Sequence, residues 1–371
     1  MLAPLSTASL QQCADKLNAG ICIDTWKAQP LASGGSDVAG VWRLSASGRD
    51  FNNNPMAWSC VAKTTRRPRS RASPDGGCAN HEIMSYRNGH RLPATTRLKM
   101  PRLLDVIQND QSQTMILEDV YDSSTRPLHL SDLQDLAERL GQWQALDTHL
   151  KNDRGESWLR EYVRQAEPLV AALPAYGRQT DMLDGLLAEP VAGMISAIWA
   201  KRRLLLATLD SLPQAYCHQD LVAGNVAVRE RAGRQTYCLL DWATAGMAPH
   251  GAELAPLVVG SSILMHWDIE AGKSALGGVI DAYRQGLLAN GVRIDADTLE
   301  LAFMASASVR YIAWGGHRVD SALDPAKHET ARRVTGYSVR EMIANYCKVR
   351  KQLAAWGAAA IAAASPTRLV G

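Results

Sequence analysis

His218-Gln219-Asp220-Leu221-Val222-Ala223-Gly224-Asn225, with Leu239-Leu240-Asp241-Trp242 downstream, is the stretch from which this chain is best read. One Asp stands five residues before an Asn, and a second Asp follows sixteen residues later, after an apolar run. A turn-like Leu212-Pro213-Gln214 precedes the set. Asn225-Val226-Ala227-Val228 and Tyr237-Cys238-Leu239-Leu240 read as two short strands, joined by Arg231-Ala232-Gly233-Arg234. Such a hairpin would deliver Asn225 and Asp241 to the same end of a sheet. Asp and Asn favour turns for local reasons alone. Here spacing and strand context together match H-x-D-x-x-x-x-N followed by a strand ending in Asp.

That set of groups suits phosphoryl transfer. One carboxylate, Asp220, would sit beside an acceptor hydroxyl and orient it or take its proton. An amide oxygen, Asn225, and a second carboxylate, Asp241, would hold the Mg2+ that bridges the phosphates of ATP.

Such chemistry makes demands upstream. It calls for a glycine-rich turn between two strands, a lysine on the third strand and a helical glutamate to pair with it. Leu31-Ala32-Ser33-Gly34-Gly35-Ser36-Asp37 supplies the turn without the full G-x-G-x-x-G signature, which makes Ser33, Gly34, Gly35 and Ser36 candidate nucleotide-binding residues. Residues 38–44 read as the next strand. Ala57-Trp58-Ser59-Cys60-Val61-Ala62-Lys63 reads as the third, with Lys63 near its end and placed to neutralise phosphates. Glu82, in His81-Glu82-Ile83-Met84-Ser85-Tyr86, opens a short helical pattern and is the candidate partner of Lys63. The intervening segment from Arg66 to Gly77 is basic and rich in Pro, Gly and Ser, the composition of a solvated loop. Thr114-Met115-Ile116-Leu117-Glu118-Asp119-Val120 reads as a buried strand ending in acids. Leu117, Glu118, Asp119 and Val120 take the hinge position, where backbone groups would meet a purine edge.

With these residues in hand, the chain resembles the aminoglycoside phosphotransferase-like family, small-molecule kinases of the protein-kinase-like superfamily. The resemblance rests on His81 to Gly89, Leu117 to Val120, His218 to Asn225 and Leu240-Asp241-Trp242-Ala243-Thr244-Ala245-Gly246. It implies that Asp220 is the catalytic base, Asn225 and Asp241 the magnesium ligands, Lys63 the phosphate-binding lysine and Glu82 its partner. It implies a loop-shaping role for His218, outside the chemistry. Trp242 stands where the family often has Phe or Trp. Gly251-Ala252-Glu253-Leu254-Ala255 puts Glu where the family often has another acid, in a capping or loop-anchoring position. The implied activity is ATP-dependent O-phosphotransfer to a hydroxyl of a small molecule: an antibiotic, an amino sugar or another metabolite. A catalytically weak, pseudokinase-like nucleotide-binding protein is the alternative.

A protein kinase reading fails on length. About ten residues separate Asp241 from Gly251, and an apolar run from Leu254 to Met265 follows, which leaves no peptide-docking segment. Forty basic residues against thirty-seven acidic give a formal charge of +3, too balanced for a dedicated nucleic-acid protein. Seven scattered cysteines without a C-x-x-C pair indicate neither a zinc site nor a disulfide scaffold. The N-terminus lacks a secretory pattern, and no apolar run is long enough to span a bilayer. The expectation is a cytoplasmic protein with reduced thiols, a monomer or homodimer that contacts neither nucleic acid nor membrane.

A chain of 371 residues that is 46% hydrophobic can bury two sizeable cores. The expected architecture is α+β: a two-lobed protein-kinase-like fold, with an N-lobe antiparallel sheet plus helix and a larger, mainly helical C-lobe. Residues 1–120 would form the nucleotide-binding N-lobe, 121–355 the C-lobe with catalytic loop, metal site and acceptor site, and 356–371 an Ala-rich tail that frays. Ser131 is the candidate N-cap of a helix whose leucines 133, 136 and 140 mark one face. Further helices are expected near 156–173, 191–210, 254–266, 276–290, 297–314 and 327–355. Acceptor contacts are sought among Asp268, Glu270, Tyr311, Trp314 and His317, since acids and aromatics suit a cationic or sugar-like ligand.

Overall fold

The computed structural model describes residues 5–31, 38–66, 76–87, 92–146, 158–177 and 181–365. It is α+β, as the sequence predicts, and divides into two compact units that interleave along the chain. The first takes residues 1–91, 99–126 and 229–243, the second 92–98, 127–228 and 244–371. Ser33, Gly34, Gly35 and Ser36 lie outside the described residues, as do positions 67–75 of the basic loop and the last residues of the tail, 366–371.

The first unit opens with α1 (Thr7–Lys16), capped by the Ser6 hydroxyl. Its sheet contains β1 (Cys22–Leu31), β2 (Val38–Arg49) and β3 (Pro55–Arg66), and α2 (Gly76–Arg87) follows β3. After the short β4 (Leu98–Lys99) come β5 (Leu103–Gln108) and β6 (Ser112–Glu118). The five-stranded order is β1-β2-β3-β6-β5, with antiparallel neighbours. Lys63 therefore lies on the central strand, opposite Val41 on one side and Met115 on the other. Alternation explains the strand: Cys60 and Ala62 point into the apolar core that holds Leu10, Leu44 and Ile116, and Lys63 points the other way.

β7 (Thr125–Pro127), β9 (Val226–Arg231) and β10 (Arg234–Leu239) join β4 in a four-stranded sheet of order β4-β10-β9-β7. The expected hairpin is present, and its strands are longer than the sequence suggests. Ala232 and Gly233 have φ of 49° and 70°, the positive pair of a tight two-residue turn whose twist matches the strands.

In the second unit, β8 (Gln214–Cys217) and β11 (Gly246–Pro249) pair antiparallel, Cys217 opposite Gly246. The helices are α3 (Leu133–Leu146), α4 (Trp158–Gly177), α5 (Asp184–Leu187), α6 (Val191–Ala200), α7 (Arg202–Ser211), α8 (Ser261–Ile263), α9 (Ile269–Leu288), α10 (Ala296–Leu323), α11 (Pro325–Thr335) and α12 (Val339–Ala364). Leu133, Leu136 and Leu140 are buried as predicted. α3 and α9 approach closely because Gly141 and Gly286 face the opposing backbone. A Cβ on either would come within 2.2 Å of the Tyr283 or Glu138 carbonyl.

Four sequence expectations are corrected here. The cap before α3 is His129, whose N–H donates to Asp132 at 2.8 Å, rather than Ser131. The helix expected over 191–210 is interrupted at Lys201. The one expected over 327–355 is two helices, because Gly336 adopts φ 81° as a C-cap and Ser338 with Glu341 forms a capping box that starts α12. The Ala-rich segment expected to fray continues α12 to Ala364, since Trp356, Gly357 and Ala360 are buried. Among the described residues, no helix is long and apolar enough to cross a membrane. Cys13, Cys22, Cys60, Cys217, Cys238 and Cys347 are free thiols.

Candidate functional site

In the first unit, Lys63 Nζ lies 2.9 Å from both carboxylate oxygens of Glu82 and 2.8 Å from Asp241 Oδ1. Lys63 is 8% exposed and Glu82 is 1% exposed. Burial alone would favour the neutral amine. The two carboxylates outweigh it and hold the lysine pKa above its usual value. Burial pushes the Glu82 carboxyl up, and the Lys63 ammonium pulls it back. The lysine predicted from strand position and the glutamate predicted from helix position thus meet, and Asp241 completes a three-charge cluster. Asp241 has φ 62°, a left-handed conformation uncommon outside glycine, just after β10. Burial raises the Tyr86 hydroxyl well above its usual range, with the carboxylates of Glu82 and Asp241 adding to the shift.

The residues expected at the hinge position are held locally. Leu117 is buried in β6, and the Glu118 side chain accepts the Arg102 N–H at 3.2 Å. Asp119 is engaged by Arg43 at 2.8 Å, by the Ser59 hydroxyl at 2.8 Å and by the Tyr121 N–H. The Val120 carbonyl accepts from Thr125 and Arg229. These side chains and the Val120 carbonyl brace the end of β6.

In the second unit, β8 ends at Cys217, and the loop from His218 is braced on every side. Glu253, 1% exposed, accepts the His218 N–H at 2.6 Å and the Gln219 N–H at 3.1 Å. Burial pushes its carboxyl up to about 7, against the pull of those two donors. This is the loop-anchoring role the sequence left open for Glu253. Thr244 donates to the His218 carbonyl, and Ser261 Oγ accepts the Ala223 N–H at 2.8 Å. His218 is buried, and its Nδ1 accepts the Asp220 N–H at 3.3 Å, so it shapes the loop. Gln219 has φ 62°.

Asp220 stays partly open, its side chain 36% exposed. Its Oδ1 is bound at 2.7 Å by Arg310, a residue the sequence reading did not single out. A lone arginine in the small, apolar run from Ala305 to Ala313 was the available signal, since such a charge needs a partner. Asn225 Nδ2 donates to the Asp220 carbonyl at 2.8 Å and approaches Asp220 Oδ2 at 3.3 Å. Its amide oxygen is thereby turned away from that contact.

Among the described residues, no group of three or more His, Cys, Asp or Glu side chains could hold a metal ion. The Asn225 amide oxygen, in the second unit, and the Asp241 carboxylate, in the first, are each a hard oxygen donor, the kind of which Mg2+ takes one or two from protein.

The candidate acceptor residues are scattered in role. Asp268 caps α9 by accepting the Glu270 N–H at 2.9 Å. Glu270 is exposed and lies 3.8 Å from Lys273. Tyr311 is buried beside Arg310, and burial pushes its hydroxyl up. Trp314 tilts against Tyr346, with ring centroids 5.2 Å apart. His317 stacks on Tyr162, which stacks in turn on Trp158.

A family model described as the phosphotransferase enzyme family (APH) matches residues 66–292, more than half of the chain. Comparison with curated proteins gives no match. Among solved structures, a microcompartment-associated aminopropanol kinase is similar at 14% identity, TM-score 0.54, over 94% of this chain and 98% of that one. An ethanolamine kinase of Plasmodium vivax is similar at 12% identity, TM-score 0.55, over 90% and 83%. An amicoumacin kinase in complex with AMP-PNP and Ca2+ is similar at 14% identity, TM-score 0.52, over 93% of each chain. At such identities these structures share the fold. The matched range contains Glu82, Asp220, Asn225 and Asp241. The chain belongs to the phosphotransferase enzyme family.

Proposed function

We propose that this enzyme transfers the γ-phosphoryl group of ATP to a hydroxyl of a small, amine-bearing alcohol. The observation that carries the nucleotide half is the buried Lys63 held between Glu82 and Asp241. A lysine so oriented presents a fixed positive charge to phosphate oxygens. Asp220 accepts a hydrogen bond from the acceptor hydroxyl. The hydroxyl oxygen then attacks the γ-phosphorus, the bond from that phosphorus to the β-phosphate oxygen breaks, and ADP leaves. The hydroxyl proton passes to Asp220 and on to solvent. Asn225 and Asp241 would offer oxygen donors to a divalent ion. When bound, that ion neutralises charge on the phosphates. The amine-bearing acceptor is supported by the named substrates of the aminopropanol and ethanolamine kinases of the same fold.

The test is a panel of amino alcohols, amino sugars and aminoglycosides incubated with ATP and Mg2+, read by mass gain of one phosphoryl group. A hit that disappears in Asp220→Asn is the expected result. A full panel without a phosphorylated product, from folded protein, would sink the reading.

A further inference from the structure

We infer that Arg310 is a positioning residue for phosphoryl transfer, holding the loop at Gln219 and the Asp220 carboxylate in one working orientation. The inference rests on the role proposed above for Asp220. It starts from a backbone cost. Gln219, a non-glycine residue, sits at φ 62°, a strained conformation that persists only when its surroundings over-determine it. Its N–H is held by Glu253 and its carbonyl by Arg310 Nη1. The same guanidinium reaches one residue further, and Nη2 binds Asp220 Oδ1 at 2.7 Å. One planar fork thus ties a strained peptide to the adjacent carboxylate, a geometry that a lysine ammonium cannot reproduce.

The fork is itself immobilised. Arg310 is 7% exposed, and its guanidinium lies over the Trp158 ring at 4.6 Å and near the Tyr311 ring at 5.6 Å. Stacking on one face leaves the edges for hydrogen bonding, so the plane of the fork sets the plane of the Asp220 carboxylate. Asn225 approaches the other oxygen, Oδ2. The two carboxylate oxygens are therefore distinguished by their surroundings. Arg310 and Gln219 also line a small cavity together with Ser306, Ala252 and Met247, which offers room for a guanidinium ion if the side chain is removed.

The experiment uses the full-length enzyme and its Arg310→Lys and Arg310→Ala variants, with Mg-ATP hydrolysis by water and the acceptor panel as activity readouts. Crystal structures and melting temperatures of all three are determined in parallel. In Arg310→Ala we expect the Asp220 carboxylate to rotate or shift. The kcat should drop on the order of a hundredfold, with KM for ATP changed by less than about threefold. Added guanidinium chloride at millimolar, non-denaturing concentration should restore part of kcat. Arg310→Lys should keep the fold and still lose about tenfold in kcat. An Asp220 carboxylate unmoved in Arg310→Ala overturns the inference whatever the activity. So does a loss matched by a falling melting temperature and indifferent to guanidinium. A wild-type enzyme that transfers to neither water nor any acceptor, with Asp220 displaced in Arg310→Ala, overturns the proposed function instead.

Discussion

The Glu253 carboxylate accepts the backbone N–H of His218 at 2.6 Å and of Gln219 at 3.1 Å, from a position buried beneath the loop that carries Asp220. Removing it strands two buried donors, each costing about 1–3 kcal/mol. Glu253→Ala is therefore expected to lower the melting temperature by several degrees and to reduce kcat more than the KM for ATP. Calorimetry and steady-state kinetics on the same preparation check this. An unchanged kcat in a folded variant would mean that the loop holds its shape without the anchor.

The same residue predicts a pH dependence. Its folded-state pKa of about 7 lies above the usual carboxyl value of 4.5 because burial disfavours the anion. Between those two pH values the folded chain holds more protons than the unfolded chain. Its contribution is thus fully present below about pH 4.5 and is lost as pH rises through about 7. The stability of wild type relative to Glu253→Gln should decline across that window and level off above it. Melting temperatures of both proteins from pH 4.5 to 8 measure the difference, and a flat difference would refute the assignment.

Lys63 sits between two carboxylates, so its loss leaves the buried Glu82 without a counterion. Lys63→Met is expected to be destabilised by about 3–5 kcal/mol, the cost of breaking a buried pair from one side. Adding Glu82→Gln should recover part of that stability without restoring activity. A double-mutant cycle in urea, together with phosphotransfer assays, separates the structural role of the pair from its role at phosphate.

Asp220 and Asp241 are predicted to fail differently. Asp220→Asn should lose on the order of a hundredfold or more in kcat while still binding nucleotide. Asp241→Asn should raise the Mg2+ concentration needed for half-maximal rate, because it removes a charged oxygen donor. Titration of Mg2+ at fixed ATP distinguishes them, and identical Mg2+ curves for the two variants would argue against Asp241 as a metal ligand.

Trp356 packs edge-on against Phe303, with ring centroids 5.0 Å apart, inside the second unit. Trp356→Ala should cost about 3–5 kcal/mol through the cavity it leaves. Chemical denaturation measures it. A loss below about 1 kcal/mol would show that the Ala-rich end of α12 contributes little to the fold.

The sequence by itself marked the candidate chemistry-bearing residues and the α+β class, with a strand-rich first part and a helical remainder. Fixed spacing marked Asp220, Asn225 and Asp241, and period-two alternation placed Lys63 on the third strand. The break between α11 and α12, which the sequence reading ran through as one helix, rests on local signals all the same: Gly336 and the Ser338-x-x-Glu341 box. The tertiary structure alone decided which groups touch across long separations. Arg310 is ninety residues from Asp220, and no local pattern pairs them; burial of its charge beside that carboxylate makes the pair. Likewise Asp268 stands in the sequence as a candidate ligand group, and the structure adds that its carboxylate closes the N-terminal end of α9. The helical course of the segment from Trp356 to Ala364 depended on a core supplied by other helices. Local spacing reports what the backbone does within a few residues. Charge pairing and burial depend on neighbours that only the folded chain brings together.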